Sequence, residues 1–279
     1  MNLIIQGVDI ETPDLKQIAK LSGASAIEAI SPTAFRLCGA APNPEIAQYC
    51  EKTALDYAFV PADRRLSDYR LAVMDMDSTL ITIECIDEIA DMQGLKLQVA
   101  AITTAAMRGE IDYPQSLRQR VALLKGLDAG ALQRVYDERL RLSPGAEVML
   151  AKFRQLGIKT LLVSGGFSFF TDRLKTRLAL DYSWSNTLEI AAGKLTGQMI
   201  GDIVDADAKR AALLKVRDAL GLNKSQIIAL GDGANDLEFM GAAGISIAYH
   251  AKPVVRAQAT HALNFVGLDG VLNLFNQEG

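Results

Sequence analysis

Histidine and cysteine are scarce in this chain, and neither residue type forms a pattern that suits zinc binding or thiol catalysis. The 279 residues include 2 histidines and 3 cysteines. Cys38, Cys50 and Cys85 form no C-x-x-C pair, and none of them has arginine six positions later, the spacing of a thiolate phosphatase. His250 and His261 have no acid or nucleophile pattern around them. We therefore expect reduced thiols and a reaction that needs neither residue type.

Positive charge and long apolar runs are also lacking. The net charge of -4 provides no basic field that could hold nucleic acid or an anionic membrane. No apolar run approaches the roughly 18 residues that a membrane span requires. The hydrophobic fraction of 49% and the charged fraction of 22% are typical of compact globular proteins. We expect a cytoplasmic protein whose partner is a small molecule, and neither nucleic acid nor a membrane.

At the N-terminus, the sequence predicts short strands that alternate with helices. The predicted elements are strand 2–8, helix 13–22, strand 26–30, strand 34–38, helix 44–55 and strand 57–60. This β-α-β-β-α-β order is the split βαβ arrangement of ferredoxin-like folds. The following stretch, PADRRLSDYR, carries five charges behind a proline, as expected of a linker. The pattern predicts a domain at 1–62 and a linker at 63–70.

From Leu71 onward, strand-like apolar runs alternate with helical periods, which predicts an α/β core with a doubly wound parallel sheet. The runs cover 71–74, 160–163, 227–230, 245–248 and 262–265. More than eighty residues with helical spacing separate the first two runs, too many for a loop. We therefore expect a helical cap at 83–141, inserted after the first core strand, and a core at 71–82 and 142–279.

Polar residues follow three of the core strands, where ligands gather in open α/β sheets. Asp75 and Asp77 follow the first run, Ser164-Gly165-Gly166 the second, and the Asp232-to-Asp236 stretch the third. A fourth polar element, Lys209, lies near the start of an amphipathic helix. We expect these residues to form one site.

If the chain stays extended through Asp75 and Asp77, both carboxylates face one side. Close carboxylates repel each other unless a cation lies between them or one of them is protonated. A hard ion such as Mg²⁺ prefers oxygen ligands, and Asp75 and Asp232 suit it. A rigid carboxylate beside such an ion could attack the phosphorus of a phosphate, and a protonated Asp77 could donate to the leaving oxygen.

The Ser164-Gly165-Gly166 stretch, at a predicted strand-to-helix turn, could hold phosphoryl oxygens with its hydroxyl and its backbone N–H groups. Lys209 adds positive charge to the expected site. Three carboxylates (Asp75, Asp232 and Asp236) and a phosphate dianion are more negative than Mg²⁺ and Lys209 can neutralise. We therefore expect the loss of Lys209 to be severe.

These motifs together resemble the haloacid dehalogenase (HAD) superfamily, and within it the phosphatases that hydrolyse O-phospho-L-serine to L-serine and phosphate in the last step of serine biosynthesis. The resemblance covers Leu71 to the C-terminus. It implies an aspartyl-phosphate on Asp75, and Asp77 as acid and base. It implies Mg²⁺ as the cofactor, and the metal residues are Asp75, Asp77, Asp232 and Asp236. It implies a phosphate site whose residues are Ser164, Gly165, Lys209 and Asn235.

The resemblance also extends into the expected cap. It implies that Glu84 binds the ammonium of phosphoserine and that Arg118 binds its carboxylate, for which a guanidinium fork is well suited. Arg120 lies two residues from Arg118 and cannot share its helix face, so we expect it to be structural or at the surface. Tyr113 stands where relatives often have phenylalanine.

The N-terminal residues lie outside this resemblance and are similar to ACT-type domains, which often pair or bind amino acids. We expect them to mediate a possible homodimer or regulation rather than turnover. Three alternatives remain: a phosphorylated receiver domain, which would not need Asp77 or a cap; a pump or mutase of the same superfamily; and an amino-acid-sensing or dimerising module.

Overall fold

The structure is a computed structural model that describes residues 1–276. Its strands are β1 (Asn2–Gln6), β2 (Ala26–Ser31), β3 (Ala34–Cys38), β4 (Asp56–Val60), β5 (Leu71–Met74), β6 (Lys159–Phe167), β7 (Tyr182–Ala191), β8 (Lys194–Ile200), β9 (Ile227–Gly231), β10 (Ile245–Tyr249) and β11 (His261–Leu263). Its α-helices are α1 (Thr12–Ser22), α2 (Pro44–Lys52), α3 (Cys85–Asp91), α4 (Lys96–Met107), α5 (Tyr113–Leu123), α6 (Gly130–Arg134), α7 (Ala146–Gln155), α8 (Ser168–Leu178), α9 (Ala206–Ala219), α10 (Leu237–Gly241) and α11 (Pro253–Arg256). Short 3₁₀ or π turns lie at 66–68, 76–80, 135–139, 224–226, 234–236 and 268–274.

The chain divides into two compact units. The first comprises Met1–Ala72, Ser143–Lys159 and Leu222–Gly279. The second comprises Val73–Leu142 and Thr160–Gly221. Strand β5 contributes its first two residues to the first unit and its last two residues to the second. None of the helices in residues 1–276 is both long enough and apolar enough to cross a membrane.

The first unit contains the N-terminal antiparallel sheet, with the strand order β2-β3-β1-β4. Both neighbours of β1 run antiparallel to it, which together with α1 and α2 gives the predicted ferredoxin-like order. Helix α1 begins with proline in its first turn and ends at Gly23, whose φ of 63° suits the left-handed cap that glycine adopts readily. Apolar side chains from the sheet and from both helices form one core: Leu3, Ile5, Leu15, Ile18, Leu37, Ile46, Cys50 and Leu55.

The chain's own C-terminal segment contacts this N-terminal sheet. Gln6 Oε1 accepts from Asn273 Nδ2 at 2.8 Å, and Arg36 Nη2 donates to the Phe275 carbonyl at 3.3 Å. The buried Asp56 carboxylate accepts the backbone N–H groups of residues 264–266 at 2.7 to 3.2 Å. These five hydrogen bonds all lie within the first unit, and they hold the N-terminal sheet to the C-terminal segment.

Parallel strands complete both units. In the first unit the order is β11-β10-β9-β5, and β10 runs parallel to both β9 and β11. In the second unit the order is β5-β6-β7-β8, in which β6 and β7 are parallel while β7 and β8 form an antiparallel hairpin. The predicted α/β class with a parallel sheet and a ferredoxin-like N-terminal sheet is confirmed. The β7–β8 hairpin was absent from the sequence prediction.

Helices α3 to α6 occupy the second unit between β5 and α7, where the sequence predicted helices and no strand. Asp112 caps α5, because its side chain accepts the Gln115 N–H at 2.7 Å. Residues Ile81 and Leu142 form an isolated antiparallel bridge, which brings the two ends of this helical insertion together.

Candidate active site

Two aspartates follow strand β5 with an extended backbone. Asp75 has φ −70° and ψ 161°, and Asp77 has φ −67° and ψ 135°. Asp75 is buried, whereas Asp77 is partly exposed. A Cβ placed on Gly166 would lie 2.7 Å from Asp77 Oδ2. The end of β5 therefore lies against the loop that contains Gly166.

Lys209 pairs with the first of these aspartates. Helix α9 begins after Asp205, whose side chain accepts the Ala208 N–H at 3.0 Å. Lys209, in the first turn, is 1% exposed, and its Nζ lies 2.5 Å from Asp75 Oδ1. A buried ion pair contributes little net stability, because desolvation offsets most of the attraction. This pair therefore points to chemistry at Asp75 rather than to a role in stability.

Asp77 has the electrostatic environment of a proton-transfer group. Burial and then the negative charge of Glu84 raise the pKa of Asp77 to about 7, although a hydrogen bond from Cys85 and the charge of Lys209 act in the opposite direction. The Cys85 N–H donates to Asp77 Oδ1 at 3.0 Å and fixes its orientation. A carboxyl group that titrates near neutral pH is well matched to general acid and base catalysis.

A tight turn places Glu84 beside these aspartates. Ser78 adopts φ 56°, a left-handed conformation that is uncommon for a residue other than glycine. Its N–H donates to the Ile83 carbonyl at 3.2 Å, and its hydroxyl donates to Glu84 Oε1 at 2.6 Å. Glu84 remains exposed, so its carboxylate is held in place while solvent or a ligand can reach it.

The Ser164-Gly165-Gly166 loop lies within strand β6, where the pairing with β7 shifts its register. Ser164 is fully buried, and its Oγ accepts the Gly166 N–H at 2.8 Å. The Gly165 carbonyl accepts from Asn186 Nδ2 at 2.7 Å and from the Tyr113 hydroxyl at 3.4 Å. A side chain on Gly165 would clash with the Tyr113 hydroxyl, and one on Gly166 would approach Asp77. Only glycines fit where the loop meets these neighbours.

Helix α5 presents one face toward this region. Tyr113 and Arg120 are seven residues apart and therefore lie on the same helix face. The charges of Lys209, Asp75, Asp77 and Arg120 all act on Tyr113, whose pKa is raised to about 12, mainly by burial. Arg120 is half-buried, and its Nε donates to the Ser116 carbonyl at 3.4 Å.

Arg118 lies on a different face of α5 and is exposed. The sequence interpretation gave Arg118 the substrate-binding role and left Arg120 a structural or surface role. Arg120, by contrast, shares the helix face of Tyr113, and the role of Arg118 stays a prediction. Two arginines two positions apart could not be ranked from the sequence, since the direction of the helix face was unknown.

The remaining expected residues belong to the first unit. Asp232 follows β9, and Asn235 and Asp236 lie in the 3₁₀ turn at 234–236. Asp236 is fully buried, and its Oδ2 accepts the backbone N–H groups of Asp232 and Gly233 at 3.1 and 3.0 Å. These two bonds fold the turn tightly enough that a side chain on Gly231 would clash with Asp236. The turn therefore fixes the Asp236 carboxylate and the backbone of Asp232.

Within the second unit, the structure brings together the following expected residues: Asp75, Asp77, Glu84, Ser164, Gly165 and Lys209. Asn186 was missed by the sequence analysis. Its signal, a single polar residue within a strand, could be recognised only once β7 was known.

Comparison with known proteins gives this arrangement a family. The sequence pattern of haloacid dehalogenase-like hydrolases matches residues 69–244, which contain all of the expected site residues. The chain belongs to this family. A second pattern, a domain of unknown function (DUF4072), matches residues 3–46.

Similar proteins within the family are phosphoserine phosphatases. The chain is 57% identical over 217 residues to the phosphoserine phosphatase of Polaromonas sp. (strain JS666), with 76% of this chain and 92% of the relative covered. A probable phosphoserine phosphatase from Vibrio cholerae, solved in unliganded form, superposes with a TM-score of 0.86 at 39% identity, covering 98% of this chain and 85% of that chain. A substrate-bound phosphoserine phosphatase gives a TM-score of 0.70 at 36% identity, covering 75% of this chain and 99% of that chain.

Hydrolases of the HAD family generally use a metal ion, and the chain has carboxylates that suit one. Within the described residues, Asp232 and Asp236 of the first unit and Asp75 of the second unit each offer a carboxylate that could serve as a cation ligand. Their oxygen atoms are hard donors of the kind that Mg²⁺ prefers. Asp77, which the sequence interpretation also included among the metal residues, stays a prediction.

Proposed function

We propose that this chain hydrolyses O-phospho-L-serine to L-serine and inorganic phosphate, the last step of serine biosynthesis. The observation that carries the proposal is the buried pair of Lys209 and Asp75 beside Asp77, a carboxyl group with a pKa of about 7. The names of the similar proteins support phosphoserine as the substrate.

In the first step, a carboxylate oxygen of Asp75 attacks the phosphorus atom of the bound phosphoserine. The bond from phosphorus to the serine oxygen breaks, and that oxygen takes a proton from Asp77. Lys209, together with the Ser164 hydroxyl, stabilises the negative charge on the phosphoryl oxygens. The products of this step are L-serine and a phosphorylated Asp75.

In the second step, Asp77 is ionised and takes a proton from a water molecule. The water oxygen attacks the phosphorus, and the bond from phosphorus to Asp75 breaks. Inorganic phosphate leaves, and both aspartates return to their starting protonation states. The near-neutral pKa of Asp77 suits this exchange, because both of its protonation states are accessible near pH 7.

The proposed metal is Mg²⁺, and the proposed ligands are Asp75, Asp232 and Asp236. When bound, Mg²⁺ would offset the negative charge that the attacking carboxylate and the phosphate bring together. We assign Asp77 to proton transfer rather than to the metal. Asn235, next to Asp236 in the 3₁₀ turn, and Gly165 are proposed to lie against the phosphate.

The substrate's amino-acid part is proposed to bind Glu84 and an arginine of α5. Glu84 would take the ammonium group, and its exposed, Ser78-bonded carboxylate supports this role. Arg118 was the expected partner of the substrate carboxylate, but the half-buried position of Arg120 beside Tyr113 favours Arg120.

The domain limits expected from the sequence stay a proposal: an ACT-like domain at 1–62, a linker at 63–70, a core at 71–82 and 142–279, and a helical cap at 83–141. We propose that the N-terminal domain mediates a homodimer, supported by its regular sheet with β2 at an exposed edge. Sedimentation of the full chain and of a variant with substitutions on β2 tests this dimer. A monomeric full chain would contradict the proposal.

The location is proposed to be cytoplasmic. The free thiols of the three cysteines support it.

Phosphate release from O-phospho-L-serine tests the function directly. We expect Mg²⁺-dependent release by the parent protein, none by Asp75→Asn, and normal release by the control Asp207→Asn, which changes an exposed acid on α9. O-Phospho-L-threonine and a sugar phosphate should be poor substrates. Preference for the sugar phosphate would contradict the substrate assignment, and activity in Asp75→Asn would contradict the mechanism.

A further inference from the structure

The loop that contains Ser164, Gly165 and Gly166 is a bulge in strand β6, and β7 lies directly beside it. Val163 pairs with Trp184, and the next pair is Phe167 with Asn186. The chain thus advances by four residues in β6 and by two residues in β7, so the two additional residues of β6 leave the ladder. Bulges of this kind redirect side chains and are common next to active sites.

Asn186 stands opposite the bulge and bonds to backbone on both sides. Its Nδ2 donates to the Gly165 carbonyl at 2.7 Å, and its Oδ1 accepts the Val204 N–H at 2.8 Å. The residue is 1% exposed. Because both ends of the carboxamide are bonded, its orientation is fixed, and a buried amide held in this way is costly to replace.

The bond to Gly165 has a consequence on the other side of the same peptide group. The Gly165 carbonyl and the Gly166 N–H belong to one planar unit and point in opposite directions. With the carbonyl held by Asn186, the Gly166 N–H points to Ser164 Oγ, which accepts it at 2.8 Å. An oxygen that accepts this bond keeps its own hydrogen for donation elsewhere.

We infer that Asn186 is a positioning residue for phosphate binding, which orients the Gly165–Gly166 peptide and thereby sets the Ser164 hydroxyl as a donor. The inference rests on the proposed function of the Ser164 loop as the phosphate site. Asn186 also fixes the backbone at Val204, five residues before Lys209, so one side chain aligns the loop and the approach to helix α9.

Tyr113 shares the Gly165 carbonyl but makes a smaller contribution. Its hydroxyl lies 3.4 Å from that oxygen, compared with 2.7 Å for Asn186 Nδ2. A longer hydrogen bond is weaker. We therefore expect Tyr113→Phe to affect phosphate binding less than any change of Asn186.

The test is calorimetric binding of inorganic phosphate in the presence of Mg²⁺, together with kcat and KM for O-phospho-L-serine and for p-nitrophenyl phosphate. Asn186→Asp keeps the shape and the acceptor for Val204 but places an oxygen against the Gly165 carbonyl. We expect phosphate affinity to fall about 10-fold or more, and kcat/KM to fall by a similar factor for both substrates. Asn186→Ala, which adds no charge, should show the same direction if the aspartate variant folds poorly.

Thr187→Val is the matched control, because Thr187 is the next residue of β7 and, among residues 1–276, its hydroxyl bonds only to Ser168, at 3.1 Å. It should keep the parent's phosphate affinity and kinetics. A purely structural Asn186 would lower the folded fraction and kcat while leaving phosphate affinity unchanged, and that result overturns the inference. A parent protein that binds phosphate but leaves phosphoserine intact would contradict the proposed function alone.

Discussion

Asp75 in the second unit and Asp56 in the first are both buried carboxylates, yet their partners differ in kind. Asp56 accepts backbone N–H groups from three successive residues and the Asn264 side chain. Asp75 instead pairs with the ammonium group of Lys209, whose charge also acts on Asp77 and Tyr113. Saturation with backbone donors indicates a structural carboxylate, whereas pairing with a shared cation indicates one that can change its bonding during a reaction.

The largest expected effect separates these two aspartates. Asp75→Asn removes the attacking oxygen, and we expect kcat to fall by about 10⁵-fold or more. Asp56→Ala leaves several buried N–H groups without an acceptor, so it should lower the free energy of unfolding by about 2–4 kcal/mol and leave kcat per folded molecule unchanged. Denaturant unfolding and active-site-normalised kinetics measure both. A folded Asp56→Ala variant that lost turnover would contradict the structural role of Asp56.

The next effect concerns the cation that Asp75 shares. Lys209→Met leaves a buried carboxylate without its ammonium partner and removes positive charge from the phosphate site. We expect kcat/KM to fall by about 10²- to 10³-fold and the unfolding free energy to fall by about 3 kcal/mol. The control is Lys215→Met on the same helix, an exposed lysine above the Trp184 ring. Equal losses in both variants would show that the pair is not special.

A smaller effect distinguishes the two arginines of α5. We expect Arg120→Ala to lower kcat/KM for phosphoserine by about 10²-fold, because a charge-assisted contact with the substrate carboxylate is lost. Arg118→Ala should change it by less than about 2-fold, since an exposed side chain makes no such contact. Neither variant should alter kcat/KM for p-nitrophenyl phosphate, which has no carboxylate. The reverse ranking would return the role to Arg118.

The smallest expected effect concerns His261 of the first unit, where we expect a change in the pH dependence of stability and little change in turnover. Burial, and then the charge of Arg64, lower the pKa of His261 to about 4. The unfolded chain therefore binds more protons than the folded protein between about pH 6.5 and 4, and stability falls as the pH falls through this window. His261→Gln should remove about 2 kcal/mol of that pH dependence. Parallel unfolding curves for parent and variant across this window would contradict the assignment.

Much of the site could be predicted from the sequence because its residues follow strands that the apolar pattern marks. Asp75 and Ser164 each follow a short apolar run. Asp75 and Asp77 have extended backbone angles, although the π turn Met76–Leu80 begins between them. The β7–β8 hairpin was missed for a physical reason. Its turn places Ala192 at φ 49° and Gly193 at φ 74°, and alanine at such a position gives none of the Asn-Gly signal that marks this turn type.

Because the hairpin was missed, Asn186 was missed too. The contacts of a polar residue in a strand can be inferred only when the strand and its neighbour are known. The sequence could not rank Arg118 against Arg120 for a related reason. Helical periodicity shows that two positions two apart diverge, but only packing shows which of them faces the site. Sequence patterns thus predicted candidate reacting groups, but they could not show which neighbouring side chains face those groups.

The central claim is that Asp75 carries the phosphoryl group, and the most direct measurement is acid quenching during turnover of O-phospho-L-serine followed by peptide mass spectrometry. We predict phosphate on Asp75, labile to hydroxylamine as an acyl phosphate is, and absent from Asp75→Asn. Phosphate on a serine such as Ser78 or Ser164, or turnover without any phosphorylated peptide under conditions that preserve acyl phosphates, would contradict the account.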